Sequence, residues 1–465
     1  MTMERPNAWE QYDEEQLKAV EQVSRKYRAY LDGGKTEREC AAETLAAAKE
    51  AGYTDLNDAI AAGKKLQPGD KVYVNCMGKA VMLFLIGKQP LEKGINIVGA
   101  HIDSPRMDFK QNPFYENGGF AYADTHYYGG IKKYQWLARP LALHGVVVKK
   151  DGTAVEITVG EKDDDPVVGI TDLLIHLSAE QMSKKASEVV GGEDLDVMLC
   201  GKPLKGEEKE PVQAALLKLL KDDYGIEEED MLSAEIEVVP AGKCRDFGLD
   251  RSMLLGYGHD DRSCAFASME AILSLKETPE FTCCCLLADK EEIGSVGATG
   301  MRAHYFENAM AELVNLTAPA YSELTLRRAL NNSRMLSCDV SAGFDPLFAS
   351  AFEKKNAAQL GHGVCYNKFT GSRGKSGSND ANAEYLGKIR KIMDENGVAW
   401  QTAELGKVDV GGGGTIAYIC ALYGMEVVDS GVAVLSMHAP EEVISKADLY
   451  EAVKAYAAFM KDAGK

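Results

Sequence analysis

Residues 95–110 read INIVGAHIDSPRMDFK, an apolar segment that runs straight into His101, Asp103 and Asp108. Side chains of an extended chain alternate between two faces, so His101 and Asp103 project to the same side. They can face one site. Asp, Ser and Pro are also ordinary turn residues, and taken alone this stretch reads as a capped strand end feeding a turn. What lifts it above that reading is the rest of the chain.

Upstream, DEEQLKAVEQVSRKYRAYLDGG and TERECAAETLAAAKEAGY carry helical patterns that close on glycines, the second opening on a Thr cap. DKVYVNCMGKAVMLFLIG then reads as a hairpin around Met77 and Gly78, with GINIVGAH as the next strand. Beyond Pro105 the texture changes to aromatic and β-branched residues, glycines and turns, and it ends with the helix VQAALLKLLKDDYG and the strand AEIEVVPAG. This predicts an inserted β-rich domain over residues 106–245, between segments 1–105 and 246–465 of a second, discontinuous domain. The remainder returns to βα alternation: helix DDRSCAFASMEAILSLKE, strand FTCCCLLAD, strand SRMLSCDV, helix SNDANAEYLGKIRKIMDENG, strand GVAVLSM and a helix from Lys446. That is the α/β pattern of a mixed sheet with helices on both faces.

Composition narrows the function classes. The 465 residues are 45% hydrophobic and carry a formal charge of −19. This size and content predict a folded protein of two domains. The acidic balance argues against nucleic acid or an anionic membrane as partner and suits bound cations. Eleven cysteines at irregular spacing, three of them the run Cys283 to Cys285, read as buried thiols of a reducing compartment. No signal-peptide core and no apolar run of about 20 residues is present, so a cytoplasmic protein is expected.

Four α/β segments end in similar chemistry: His101, the pair Glu291 and Glu292, Asp339, and His438. A fifth, GYGHDDR, sets Asp260 and Asp261 before a helix. The carboxyl ends of strands line the ligand crevice of open α/β sheets, so these groups can converge. Each alone is an ordinary turn or helix cap, and His259 or His304 needs no role beyond a satisfied histidine. Together, two histidines and at least three carboxylates suit zinc, manganese or cobalt. The surplus over four donors points to two ions, one taking His101 and Asp339, the other Glu292 and His438, with Asp260 bridging. Adjacent side chains diverge, so Glu292 ligates while Glu291 faces the water as general base. Asp103 is the carboxylate that orients the His101 imidazole. VGGGGTIAY lacks the Lys-Ser/Thr ending of a P-loop and reads as a flexible loop, as does SRGKSG, and no Gly-x-Ser-x-Gly element appears.

With AHIDSP, GHDDRSCAF, DKEEIGS, MLSCD and SMHAPEE in this order, the chain resembles the aspartyl aminopeptidase family of dinuclear zinc exopeptidases, as a bacterial-type member, from about residue 10 to 462. The resemblance implies a three-layer α/β/α catalytic domain interrupted by a β-rich dimerisation domain, and dimers assembled into a tetrahedral dodecamer. It implies His101, Asp260, Glu292, Asp339 and His438 as metal ligands, Glu291 as base and Asp103 as supporting carboxylate. It adds His176, in LLIHLS, as a residue reaching a neighbouring subunit's active site, and Lys368 as a substrate-binding lysine. Peptides with acidic N-terminal residues are the implied substrates. One departure bears on this. Better-known members read roughly Ala-His-x-x-His-Pro after the ligand aspartate, whereas this chain has DVSAGFDP, with Gly343 and Asp345 near the histidine positions and Pro346 retained. Lost histidines and a gained carboxylate disfavour an acidic first residue, so neutral or hydrophobic residues are alternative substrates. A deacylase on the same dimetal sheet and a non-catalytic assembly protein are the rival functions.

Overall fold

The computed structural model describes residues 5–371 and 373–464. The chain divides into two compact units, one of residues 1–103, 244–437 and 442–465, the other of residues 104–243 together with 438–441.

Among the described residues, the first unit is built on a nine-stranded sheet. Its centre is four parallel strands in the order Cys283–Ala288, Asn96–His101, Arg334–Cys338 and Glu426–Gly431. The hairpin Lys71–Cys76 and Ala80–Leu85 extends one side antiparallel, turning through Met77 and Gly78 at φ 55° and 71°. Asn96–His101 and Cys283–Ala288 are buried along their whole length, as central parallel strands covered on both faces must be. Alternation splits the cysteine run between two cores. Cys283 and Cys285 pack with Tyr27, Phe266 and Tyr456 on one face, Cys284 with Phe306, Leu326 and Ile416 on the other. Helices therefore lie on both faces of the sheet, giving three α/β/α layers.

Local chemistry sets the helix ends. Thr36 Oγ1 accepts from the Glu39 amide while the Glu39 carboxylate accepts from the Thr36 amide, a reciprocal cap that starts helix Glu37–Glu50. Asp13 and Gln16 do the same for Glu14–Gly33. A smaller five-stranded sheet, Arg245–Phe247, Met253–Gly256, Glu442–Ser445, Ala433–Leu435 and Ser341–Ala342, completes this unit. Here the reading of GVAVLSM needs correction. The main-sheet strand is the preceding Glu426–Gly431, and Ala433–Leu435 belongs to the small sheet. Both runs are apolar and β-branched, so composition does not separate them.

The second unit is a six-stranded antiparallel sheet in the order Ala154–Val159, Leu141–Val148, Ala234–Pro240, Arg106–Asn117, Phe120–Tyr128 and Val197–Cys200. Helix Pro211–Tyr224 packs Val212 and Leu216 on Ala121. Glu116 caps that helix, its carboxylate accepting from the Val212 and Gln213 amides at 2.7 and 3.0 Å. Among the described residues, no helix is long and apolar enough to cross a membrane.

Candidate metal centre

The carboxyl ends of the central parallel strands carry the chemistry. His101 closes its strand, Asp339 follows Cys338, and the 3-10 turn Glu291–Ile293 begins three residues past Ala288. Asp260 and Asp261 open the buried helix His259–Ser274. His101 Nε2 lies 3.2 Å from Asp260 Oδ1 and 4.0 Å from Asp339 Oδ1. Among the described residues, three donor groups have ligand atoms within 4.8 Å of one another: His101, Asp260 and Glu292; His101, Glu291 and Asp339; Asp260, Asp261 and Asp339. The sheet thus brings together six of the predicted residues, Asp103 included.

Asp103 does more than support the imidazole. His101 Nδ1 lies 3.0 Å from the Asp103 carbonyl oxygen and 3.3 Å from Oδ1. Both are acceptors, so the proton of a neutral ring sits on Nδ1 and the Nε2 lone pair is left toward Asp260 and Asp339. The same carboxylate accepts from the Glu291 amide at 3.1 Å and the Glu292 amide at 3.2 Å. One buried side chain therefore holds the imidazole and the two glutamates in register.

Charge in the pocket is poorly balanced by the protein alone. Burial opposes protonation of His101, but its contacts with Asp103 and Asp260 and the Asp339 charge outweigh it and hold its pKa well above the ordinary histidine value. Burial, then the Asp260 charge, pushes Asp339 well above the ordinary carboxylate range, and burial does the same to Asp261. Such a site needs protons or cations. A tetrahedral zinc with bonds of ~2 Å sets two of its donors roughly 3.3 Å apart, which the His101 to Asp260 contact matches. One imidazole nitrogen with several carboxylate oxygens and no thiolate is a donor set that zinc accepts.

Residues outside that cluster are placed as follows. His438, at φ 63°, groups with the second unit, where its Nδ1 lies 2.9 Å from the Gly130 carbonyl oxygen; it is in none of the three donor groups. His176, in an apolar run that composition alone reads as a strand, sits instead in the 3-10 turn Ile175–Leu177, with Leu174, Ile175 and Leu177 exposed by 53 to 70%. A strand needs a ladder partner or a covered face, and this apolar stretch has no buried residue in its turn. Lys368 follows strand Val364–Asn367, its ammonium 3.5 Å from Asp380 Oδ1, while Lys375 holds Oδ2 at 3.0 Å.

The departure at residues 343–345 has a packing reason. A Cβ added at Gly343 would stand 2.7 Å from Leu360 Cδ1 and 3.1 Å from the Val434 carbonyl oxygen. The Asp345 carboxylate caps a 3-10 turn by accepting from the Leu347 amide at 2.9 Å. The glycine run is likewise tied down: the Gly413 amide donates to Thr370, and Thr415 Oγ1 to Asp429 at 2.5 Å. His259 is buried against the Tyr27 hydroxyl at 2.7 Å, and burial lowers its pKa to about 3. His304 is exposed beside Glu307. All eleven cysteines are free, and burial pushes Cys283 up to about 12, far from a usable thiolate.

Two residues of the site carried no assignment from sequence. Asp261 Oδ2 accepts from the His101 amide at 3.3 Å, and Glu442 Oε2 accepts from the Asp260 amide at 2.9 Å. The HDDR pair signals the first; nothing local signals the second, because it arrives through the pairing of Met253–Gly256 with Glu442–Ser445.

Residues 30–460 match the family model described as aminopeptidase I zinc metalloprotease (M18). A probable M18 family aminopeptidase 1 of Clostridium acetobutylicum is 56% identical over 457 residues, covering 98% of each chain. The crystal structure of an M18-family aminopeptidase from Thermotoga maritima superposes with a TM-score of 0.94 at 44% identity, over 99% of both chains. A dodecamer of mApe1 from S. cerevisiae shares the fold, with a TM-score of 0.76 at 20% identity over 95% of this chain and 96% of that one. With the family model spanning nearly all of the sequence and close relatives matching end to end, the chain belongs to the M18 family of aminopeptidase I zinc metalloproteases.

Proposed function

We propose that this zinc metalloaminopeptidase removes the N-terminal residue of peptides at a dinuclear centre held by His101, Asp260, Glu292, Asp339 and His438, with Asp260 shared. The observation that carries the reading is the convergence of His101, Asp260, Asp339 and the Glu291–Glu292 pair at the carboxyl ends of adjacent strands. When bound, the ions polarise the scissile carbonyl and lower the pKa of a water molecule; cobalt or manganese suits the same donors.

Glu291 removes a proton from that water and returns it to the leaving amine. Asp103 fixes the His101 tautomer and, through two amides, the place of Glu291. His176 of a neighbouring subunit stabilises the oxyanion. This requires a homo-oligomer, and the resemblance together with the mApe1 dodecamer supports dimers assembled into a tetrahedral dodecamer. The exposed apolar turn around His176 is consistent with burial against another copy. The absence of a membrane-crossing helix among the described residues fits a cytoplasmic enzyme.

Acidic N-terminal residues are the first substrates to test, read by Lys368. A second reading, neutral or hydrophobic residues, is favoured by the contact of Lys368 with Asp380, which already occupies that cation. A panel of acidic, neutral and hydrophobic aminoacyl chromogenic substrates, with N-acylated counterparts, on zinc-loaded and chelator-treated protein decides. Chelator-sensitive cleavage of free-amine substrates supports the proposal, and the panel's order gives the preference. Cleavage of N-acylated substrates alone would make it a deacylase, and no cleavage with metal bound would leave a binding protein.

A further inference from the structure

The turn that carries Glu291 and Glu292 lies in a segment with little core to hold it. Ile293 is 45% and Val296 59% exposed, so its apolar side chains face outward. A general base must nonetheless keep its place closely, because a displacement of about 1 Å can cost roughly 100-fold in rate. Asp103 holds one side of the turn through the Glu291 and Glu292 amides.

The other side is held by Asp289, which is buried to 1% exposure. Its Oδ2 accepts from Thr299 Oγ1 at 2.5 Å and from Lys290 Nζ at 2.9 Å. One carboxylate oxygen therefore joins the residue just before the glutamates to one eight residues beyond Glu291. The backbone closes over the same span: Asp289 bridges Gly300 in parallel, and the Ser295 amide donates to Lys290 at 2.7 Å. Gly300 has to be glycine here, since a Cβ would stand 2.5 Å from the Ser295 carbonyl oxygen. At Gly297, φ 114°, an added Cβ would stand 3.0 Å from Lys290 Cδ, so the lysine stem runs against this glycine on its way back to Asp289.

We infer that Asp289 and Thr299 form a clamp that closes the 289–300 segment and positions Glu291 for proton transfer, so that both are positioning residues for turnover. The inference rests on the reading of Glu291 as the base. Neither residue belongs to the donor groups, but the segment they close carries Glu292 as well as Glu291, so the clamp is read in kcat at saturating zinc, with substrate affinity in place.

Thr299→Val tests this with an isosteric change that removes only the hydroxyl donor. In the full chain at saturating zinc, kcat should fall at least about tenfold with KM held within about twofold, and Thr299→Ser should recover most of the loss. Amide exchange across residues 290–299 should quicken in Thr299→Val and not in Thr299→Ser, a readout independent of turnover. Asp289→Asn should lower kcat in the same way. An unchanged kcat in Thr299→Val, a rise in KM in place of the kcat loss, or a serine variant as impaired as the valine would each overturn the clamp. Glu291→Gln run alongside separates the two readings: if it turns over normally the base assignment falls and the inference with it, whereas an inactive Glu291→Gln beside an unaffected Thr299→Val overturns the clamp alone.

Discussion

Asp103→Asn should weaken zinc binding and turnover by separable amounts. The carboxylate accepts from the Glu291 and Glu292 amides at 3.1 and 3.2 Å and lies 3.3 Å from His101 Nδ1. Asparagine keeps the shape but offers one acceptor, so its NH2 must face a donor that the second carboxylate oxygen now satisfies. A hydrogen bond to a charged group contributes about 1.5 to 3 kcal/mol, and losing one while opposing a donor costs on the order of 2 to 3 kcal/mol locally. If all of that falls on the placement of Glu291, it corresponds to roughly 30- to 150-fold in kcat. Loss of the carboxylate behind a ligating imidazole separately lowers metal affinity about 10- to 100-fold. Zinc titration of chelator-stripped protein against a chromophoric competitor gives the affinity, and turnover at saturating zinc isolates the kcat deficit. Wild-type zinc affinity together with wild-type kcat would refute the role argued for Asp103.

Other perturbations reach different parts of the site. Glu291→Gln should retain its zinc by elemental analysis while kcat drops about 100- to 10,000-fold, the range of a lost general base. His438→Ala should bind less zinc per chain than wild type, and an unchanged stoichiometry would remove His438 from the ligand set. Asp429 gives a pH test of the fold: burial raises it to about 7, with the Thr415 hydroxyl pulling the other way. Its folded pKa lies above the unfolded one, so its contribution is full below pH ~4 and is lost as pH rises through about 7. Stability of wild type relative to Asp429→Asn, measured by denaturant melts, should therefore fall between pH 5 and pH 8, and a constant difference would contradict it.

What the sequence makes legible follows from which interactions are local. The cap at Thr36, the hairpin at Met77 and Gly78, and the burial of Cys283 to Cys285 are set within a few residues, and each appears in the structure as read. The polar ends of apolar runs at His101, Asp339 and Glu291–Glu292 are legible for the same reason. Strand choice between Glu426–Gly431 and the following apolar run is not, because both satisfy the same pattern and only sheet pairing separates them. Nor is the turn at His176, where an apolar composition predicts burial that the chain itself does not provide. Asp289 and Glu442 escape notice because their partners, Thr299 and the Asp260 amide, are defined by loop closure and by strand register.

The two kinds of group in this site need different support, and the structure supplies it differently. His101 and Asp339 sit at the ends of strands buried in the sheet, where register against neighbours fixes their backbone. Burial pushes Asp339 toward its protonated form and opposes protonation of His101, whose pKa is nevertheless held high by its contacts with Asp103 and Asp260 and by the Asp339 charge, so bound cations complete the charge balance as well as the chemistry. Glu291 cannot be so deeply held, since a base must meet water and substrate, and it lies on an outward-facing turn. Its fixity comes from carboxylates instead: Asp103 on the backbone amides, and Asp289 on the ends of the segment. Metal affinity should thus track the sheet, Asp103 and the placement of Glu292, while turnover should also track how closely the same loop holds Glu291.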